Sequence, residues 1–231
     1  MFVEGLFEKW QQEYSFSAFI KDGIVDIKKY EEPHALFILR DMNCSVPNDL
    51  CENLRHKGGG AKTWCNVGRW TQALLDKNRE YPYDMSPKQR IEQMSRVAVM
   101  NIKKEGGGAR SVGKTLISYA EEQKELILEQ IRICDPDIII CCGQQIKDGL
   151  GNAEILEQKV FGISAKWDKI CSNDLRRAWW YFYAEINDKQ VPVVSFCHPQ
   201  ATNLCGRRGH EALFKPLYKD MQAIGNKFLR M

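Results

Sequence analysis

Residues 96–115 read RVAVMNIKKEGGGARSVGKT, and the fold turns on how that run is parsed. From Gly108 onward it fits G-x-x-x-x-G-K-T, a loop that wraps phosphates with backbone N–H groups and delivers a lysine from a helix. Such a loop needs its first glycine directly after a buried strand. Here Asn101, Ile102, Lys103, Lys104, Glu105 and two further glycines separate the apolar VAVM from Gly108. Nor does an acidic residue end an apolar strand where magnesium would need it. The aspartates of DPDIIICCG, Asp135 and Asp137, stand at the start of their run. The stretch therefore reads as strand, glycine-rich loop and helix. Its bare N–H groups, with Lys103, Lys104, Arg110 and Lys114, suit a phosphodiester. A nucleotide-binding P-loop is the alternative of a different class.

On either side the same alternation continues. ALFIL, at 35–39, is an unbroken apolar run too short for a helix, as expected of a strand buried on both faces. A polar, glycine-rich loop is predicted from residue 40 to 68, then a helix over RWTQALLDK and a short one over KQRIEQMS. Lys114 to about residue 133 reads as one long helix, and DPDIIICCG as a third strand ended by Gly143. WWYFYAEI and VPVVSF, joined through NDKQ, read as a hairpin, and a helix follows Gly209. Residues 1–32 read as an N-terminal helical extension of one or two amphipathic helices, with Phe2, Leu6, Phe7 and Trp10 on one face. Residues 33–231 then form an α/β domain with a central, mainly parallel sheet flanked by helices.

Bulk properties narrow the function. The 231 residues suffice for one large domain with a buried core. A net charge of +3 excludes a polycation, so nucleic-acid affinity must come from local basic clusters. The nine cysteines are odd in number and form no C-x-x-C pair, which suggests free thiols in a reducing cytoplasm. Cys44, Cys51 and Cys65 match no common metal-ligand spacing, so neither metal nor cofactor is expected. MFVEGLFEKWQQEYSF carries early acidic residues and no long apolar core, unlike a secretory leader. No run approaches the ~18 apolar residues of a membrane span.

In a sheet of this kind chemistry gathers at the carboxyl ends of the strands. Three segments fall there: RDMN, NIKKEGGGAR and CHPQATN. Asn43, Asn101 and His198 each have an ordinary structural reading as turn residue, loop cap or satisfied histidine. Their joint occurrence at three strand ends favours a site.

These segments, in this order, resemble the uracil-DNA glycosylase superfamily over roughly residues 33 to 215. LFILRDMN resembles its first motif, an apolar strand ending in G-M-N or G-Q-D, and sets Asn43 where the attacking water is positioned. VAVMNIKK sets Asn101 at the base-reading asparagine. DPDIIICCG resembles the next strand. SFCHPQATN resembles the H-P-S motif and puts His198 at the catalytic histidine. CNVGRWTQALL resembles the G-N-x-F-W helix start of the mismatch-specific branch. Arg40 and Asp41 stand where a glycine is usual, Cys44 replaces a proline, and Gln200 replaces the serine of H-P-S. The bulky tyrosine that excludes C5-substituted pyrimidines is missing.

The resemblance implies a glycosylase-like fold and a monofunctional DNA glycosylase that flips out a modified or damaged pyrimidine and leaves an abasic site. A hydroxymethylcytosine-type hypermodified base of phage DNA, removed in antiviral defence, is the candidate substrate. Uracil or mismatched thymine is the alternative, as is a non-catalytic DNA-binding module. Asn43 would orient water, with Asp41 activating it or stabilising the cationic sugar, unless Asp41 pairs with Arg40. His198 would stabilise the departing base, and Asn101 would match its edge. Trp64 would stack on the base, its other reading being a core aromatic. Lys103, Lys104, Arg110, Arg207 and Arg208 would grip phosphates, and Leu204 would wedge into the vacated stack. DNA is the expected partner and a monomer the expected state.

Overall fold

The computed structural model describes residues 3–60, 62–107, 113–144 and 150–229. The chain opens with helix α1 (Val3–Glu13), then strands β1 (Ile20–Lys21), β2 (Gly23–Ile24), β3 (Ala35–Leu39) and β4 (Asn48–Asp49). Helices α2 (Leu50–Lys57), α3 (Lys62–Leu75) and α4 (Pro87–Met94) lead to β5 (Ala98–Asn101). After α5 (Gly113–Glu122) and α6 (Lys124–Cys134) comes β6 (Ile138–Cys142). The short α7 (Asn152–Ile155) runs into a π-helical turn, Leu156–Val160. Strands β7 (Asp168–Cys171), β8 (Ala178–Ile186) and β9 (Lys189–Phe196) follow. A second π-helical turn, His210–Phe214, opens the last helix, α8 (Lys215–Phe228).

The central sheet runs β2-β5-β3-β6-β9-β8-β7, and β1 pairs separately with β4. The inner strands β5, β3, β6 and β9 are parallel, while β2, β8 and β7 pair antiparallel. Helices cover both faces, which explains the unbroken apolar run at 35–39. Ala35, Phe37 and Leu39 enter a core with Trp70 and Leu74 of α3 and Leu217 and Met221 of α8. Leu36 and Ile38 enter a second core with Trp10 of α1 and Ile127 and Ile131 of α6. The β8–β9 hairpin closes through Asn187 and Asp188, both at positive φ (48° and 62°), as a two-residue type I′ turn requires. No helix among the described residues is long and apolar enough to cross a membrane.

Three local expectations are corrected. Residues 1–32 do not form a purely helical extension: among the described residues only Val3–Glu13 is helical there, and β2 joins the central sheet as its edge strand against β5. Gly23, at φ 135°, permits the turn into β2. The long helix breaks in two at Gln123, whose side chain accepts from Trp10 Nε1 at 2.6 Å, so a tertiary contact fixes the break. The loop expected from residue 40 contains α2, capped by Asp49 and stopped by Gly58 at φ 65°. Leu50 and Leu54, one turn apart, bury its inner face.

Strand order positions the site. From β3 the chain moves to β5 on one side, then crosses to β6 on the other. A crevice opens at such a reversal, outside the carboxyl ends of β3 and β6.

Candidate active site

Arg40 leaves the end of β3 and points along that crevice. Its Nε donates to Asn152 Oδ1 at 3.1 Å and its Nη2 to the Gln144 carbonyl at 3.2 Å. The close approach depends on Gly143, at φ 132°, where a Cβ would stand 3.3 Å from Arg40 Nε. Burial lowers the Arg40 pKa, while the charges of Asp41 and Glu154 oppose that shift.

Asp41 lies against the glycine-rich loop. A Cβ on Gly107 would come within 2.7 Å of Asp41 Oδ2, and one on Gly106 within 2.3 Å of the Cys44 carbonyl. The Gly107 N–H donates to the Met42 carbonyl at 2.8 Å, and Asn43 bridges Gly107 in parallel register. The glycines thus let the loops after β3 and β5 lie backbone to backbone.

His198 follows β9 and is fixed from two sides. Its Nδ1 accepts the Gln200 backbone N–H at 3.1 Å. A backbone N–H can only donate, so the neutral ring carries its proton on Nε2. Helix α3 fastens the turn: Asn66 Nδ2 donates to the Pro199 carbonyl at 2.6 Å, and Gln200 Nε2 donates to Thr63 Oγ1 at 2.8 Å. Arg69 Nη1 donates to Asn66 Oδ1 at 3.1 Å and sets the amide's orientation. Burial holds the His198 pKa below its ordinary value, Arg40 pushes the same way, and Asp41 opposes both. The imidazole is thereby kept neutral beside a carboxylate.

The structure brings Asp41 and His198 together with Arg40, and leaves Asn43 exposed nearby. Two expected site residues belong elsewhere. Lys104 has no exposed surface; its Nζ donates to Asp22 Oδ1 at 2.6 Å and to the Asn101 carbonyl at 2.8 Å. It therefore reaches no phosphate, because Asp22 and the Trp10 ring enclose it. Asn101, 2% exposed, gives its N–H and its Nδ2 to Asp22 Oδ2, at 2.7 and 3.2 Å, rather than to a base edge. Trp64 takes its core reading: it packs in the α3 side of the apolar core, and a Cβ on Gly59 would stand 2.2 Å from its ring.

The other basic positions lie around the crevice loops. Lys103 pairs with Glu105 at 3.5 Å. Arg110 lies outside the described residues, as does the whole of GARSV, 108–112; α5 begins at Gly113 with Lys114 exposed. Leu204 and Arg207 bond to each other across a tight turn at Cys205 and Gly206, both at positive φ. Leu204 rests partly on the core and Arg208 is exposed.

Several site residues carry no motif. Arg177, just before β8, stacks on the Trp179 ring at 4.3 Å and donates from Nη2 to Gln144 Oε1. Only the sheet topology, which puts the start of β8 beside the end of β9, brings it to the crevice. Asn66 and Thr63 could be found only as the polar face of an otherwise buried helix. A cleft of about 650 Å³, lined by Tyr14, Phe16, Phe19 and Asn48 among others, lies by β1 and β4. Convergent polar groups, rather than volume, mark the crevice as the site. No protein family matches this chain, and no curated protein matches it.

Proposed function

We propose that the chain is a monofunctional DNA glycosylase of the uracil-DNA glycosylase type, acting on a modified or damaged pyrimidine. The observation that carries the reading is His198 after β9, whose Nδ1 accepts the Gln200 N–H and so leaves Nε2–H to donate, with Arg40 and Asp41 near enough to act on its titration. Breaking an N-glycosidic bond leaves negative charge on the base and positive charge on the sugar. A fixed Nε2–H stabilises the first by a hydrogen bond to the base oxygen. Asp41 stabilises the second and accepts the proton of the attacking water, which Asn43 helps to orient. A base reaches such a crevice only after leaving the stack. Leu204 would fill the gap it leaves, and Arg207 and Arg208 on the same loop would hold the strand.

Lys104 is sealed in its ion pair, so it offers no amine to a sugar aldehyde. The resemblance also places no lysine at the nucleophile position, so hydrolysis without strand cleavage is expected and borohydride should trap no covalent adduct. The direct test offers DNA carrying uracil, a thymine mismatch, hydroxymethylcytosine or its glucosylated form, and detects alkali-labile abasic sites. Abasic sites on one substrate, lost in His198→Ala and Asp41→Asn, are the expected result. No release from any of them, with nucleotide binding abolished by Lys114→Ala, would instead favour the P-loop reading.

A further inference from the structure

Arg40 and Arg177 come from opposite ends of the chain's strand series and meet on one neutral residue, Gln144. Arg40 holds its carbonyl oxygen and Arg177 its side-chain oxygen. Two half-buried guanidinium groups therefore converge on one neutral residue. Among the described residues, neither forms an ion pair with a carboxylate; Asp41 and Glu154 act on Arg40, and Asp220 acts with Arg177, without an ion-pair contact. Not every donor is used. A guanidinium has five N–H bonds, and among the described residues the pair uses three of its donors, on Asn152 and Gln144. Arg177 Nε is buried with no partner, and stacking on Trp179 holds its plane in place. Half-buried cations with unmet donors are costly unless an anion completes them.

We propose that Arg40 and Arg177 form an oxyanion subsite of the crevice, and that its ligand is a phosphate of the nucleotide whose base is released. The assignment rests on the crevice being a nucleotide site. Planar forks suit a tetrahedral oxyanion, since each can offer two parallel N–H bonds to it. The location is also where an open α/β sheet takes its ligand. The phosphate has two possible sources, a phosphodiester within a strand or the terminal phosphate of a free nucleotide.

The test is calorimetric titration of the full chain and of Arg177→Gln with deoxycytidine 5′-monophosphate, deoxycytidine and a short single-stranded oligonucleotide. Base release from DNA is measured on the same preparations. The wild type should bind the monophosphate at least about tenfold more tightly than the nucleoside, and the variant should lose that gap. Inorganic phosphate should raise the melting temperature of the wild type and not that of the variant. Should Arg177→Gln fail to fold, Arg177→Lys serves in its place and should narrow the gap. Tighter binding of the oligonucleotide assigns the phosphodiester; tighter binding of the monophosphate assigns the terminal phosphate. An unchanged gap in the variant, or no gap in the wild type, overturns the subsite. If base release then proceeds, only the subsite has failed. If the gap is present but no DNA loses a base, the subsite stands and the glycosylase reading falls.

Discussion

Two polar clusters sit at the carboxyl edge of the sheet, built from the same kinds of residue. At the end of β5, Asp22, Asn101, Lys104 and Gln130 form one; beyond β3, β6 and β9, Arg40, Asp41, Arg177 and His198 form the other. The first is closed. Asp22 Oδ1 accepts from Lys104 and Gln130, Oδ2 accepts twice from Asn101, and neither member of the ion pair is exposed. The second is open, with half-exposed cations; each cluster keeps one buried atom without a partner, Gln130 Oε1 in the first and Arg177 Nε in the second. A polar residue at a strand end is thus not yet a site; what decides is whether its charge is paired and sealed by the fold or left where a ligand can reach it.

The sharpest way to break this contrast is to open the closed cluster. Lys104→Met leaves the Asp22 carboxylate buried without its counter-ion, and removing one partner of such a pair costs about 3–5 kcal/mol. Denaturant unfolding should show a loss of that size. Adding Asp22→Asn should recover part of it, because the stranded charge is gone. A loss below ~1 kcal/mol would mean that water already reaches the pair, and the distinction between the clusters would collapse.

That contrast also separates what the sequence reveals from what it hides. β3, β5 and β6 are legible because burial on both faces leaves unbroken apolar runs, and the β8–β9 hairpin because its turn residues tolerate positive φ. Asp41 and His198 are legible as polar residues at strand ends, which the structure draws toward Arg40. The partners of Asn101 and Lys104 are hidden in the sequence for one cause. Their partner Asp22 lies 79 and 82 residues away, on a short segment whose strand character appears only once it pairs with β5. Arg177 is hidden for the converse reason, since an arginine before an aromatic strand carries no pattern until the sheet closes. Trp64 exposes no signal in sequence that separates a stacking platform from a core aromatic; the neighbouring Gly59 decides it by leaving room for the ring.

Within the open cluster, removal of the Nε2 donor should have the largest effect on turnover. His198→Ala should lower the rate of base release by ~10²–10³, the usual cost of losing one donor to a developing anion, with little change in DNA affinity. Equal losses in rate and affinity would mean that His198 holds the strand and not the charge. Asn66→Ala should act more mildly and through position. It frees the Pro199 carbonyl, at a cost of ~1–3 kcal/mol if that group stays buried, and loosens the turn that presents His198. Its melting temperature should fall, and imidazole ¹⁵N shifts should report a mixture of tautomers. A single Nε2–H tautomer in the variant would limit the role of Asn66 to stability.

The smallest effect is the most specific to the open cluster. His198 is held neutral chiefly by burial, with Arg40 adding to the shift and Asp41 resisting it, so its folded pKa lies below 6.5. Between that lowered value and 6.5 the unfolded chain binds more protons than the folded one, so stability from this group rises with pH across that window. It is lost as pH falls through the folded pKa, and base release that needs the neutral ring should fall there too. NMR titration of the ring should therefore find a midpoint below 6.5 in the wild type. Arg40→Gln removes a repelling charge and should raise that midpoint; Asp41→Asn removes an attracting one and should lower it. Shifts of opposite sign are the signature of an imidazole placed between a cation and a carboxylate. Two shifts of the same sign would mean that burial alone sets the protonation of His198 and that the neighbouring charges act elsewhere.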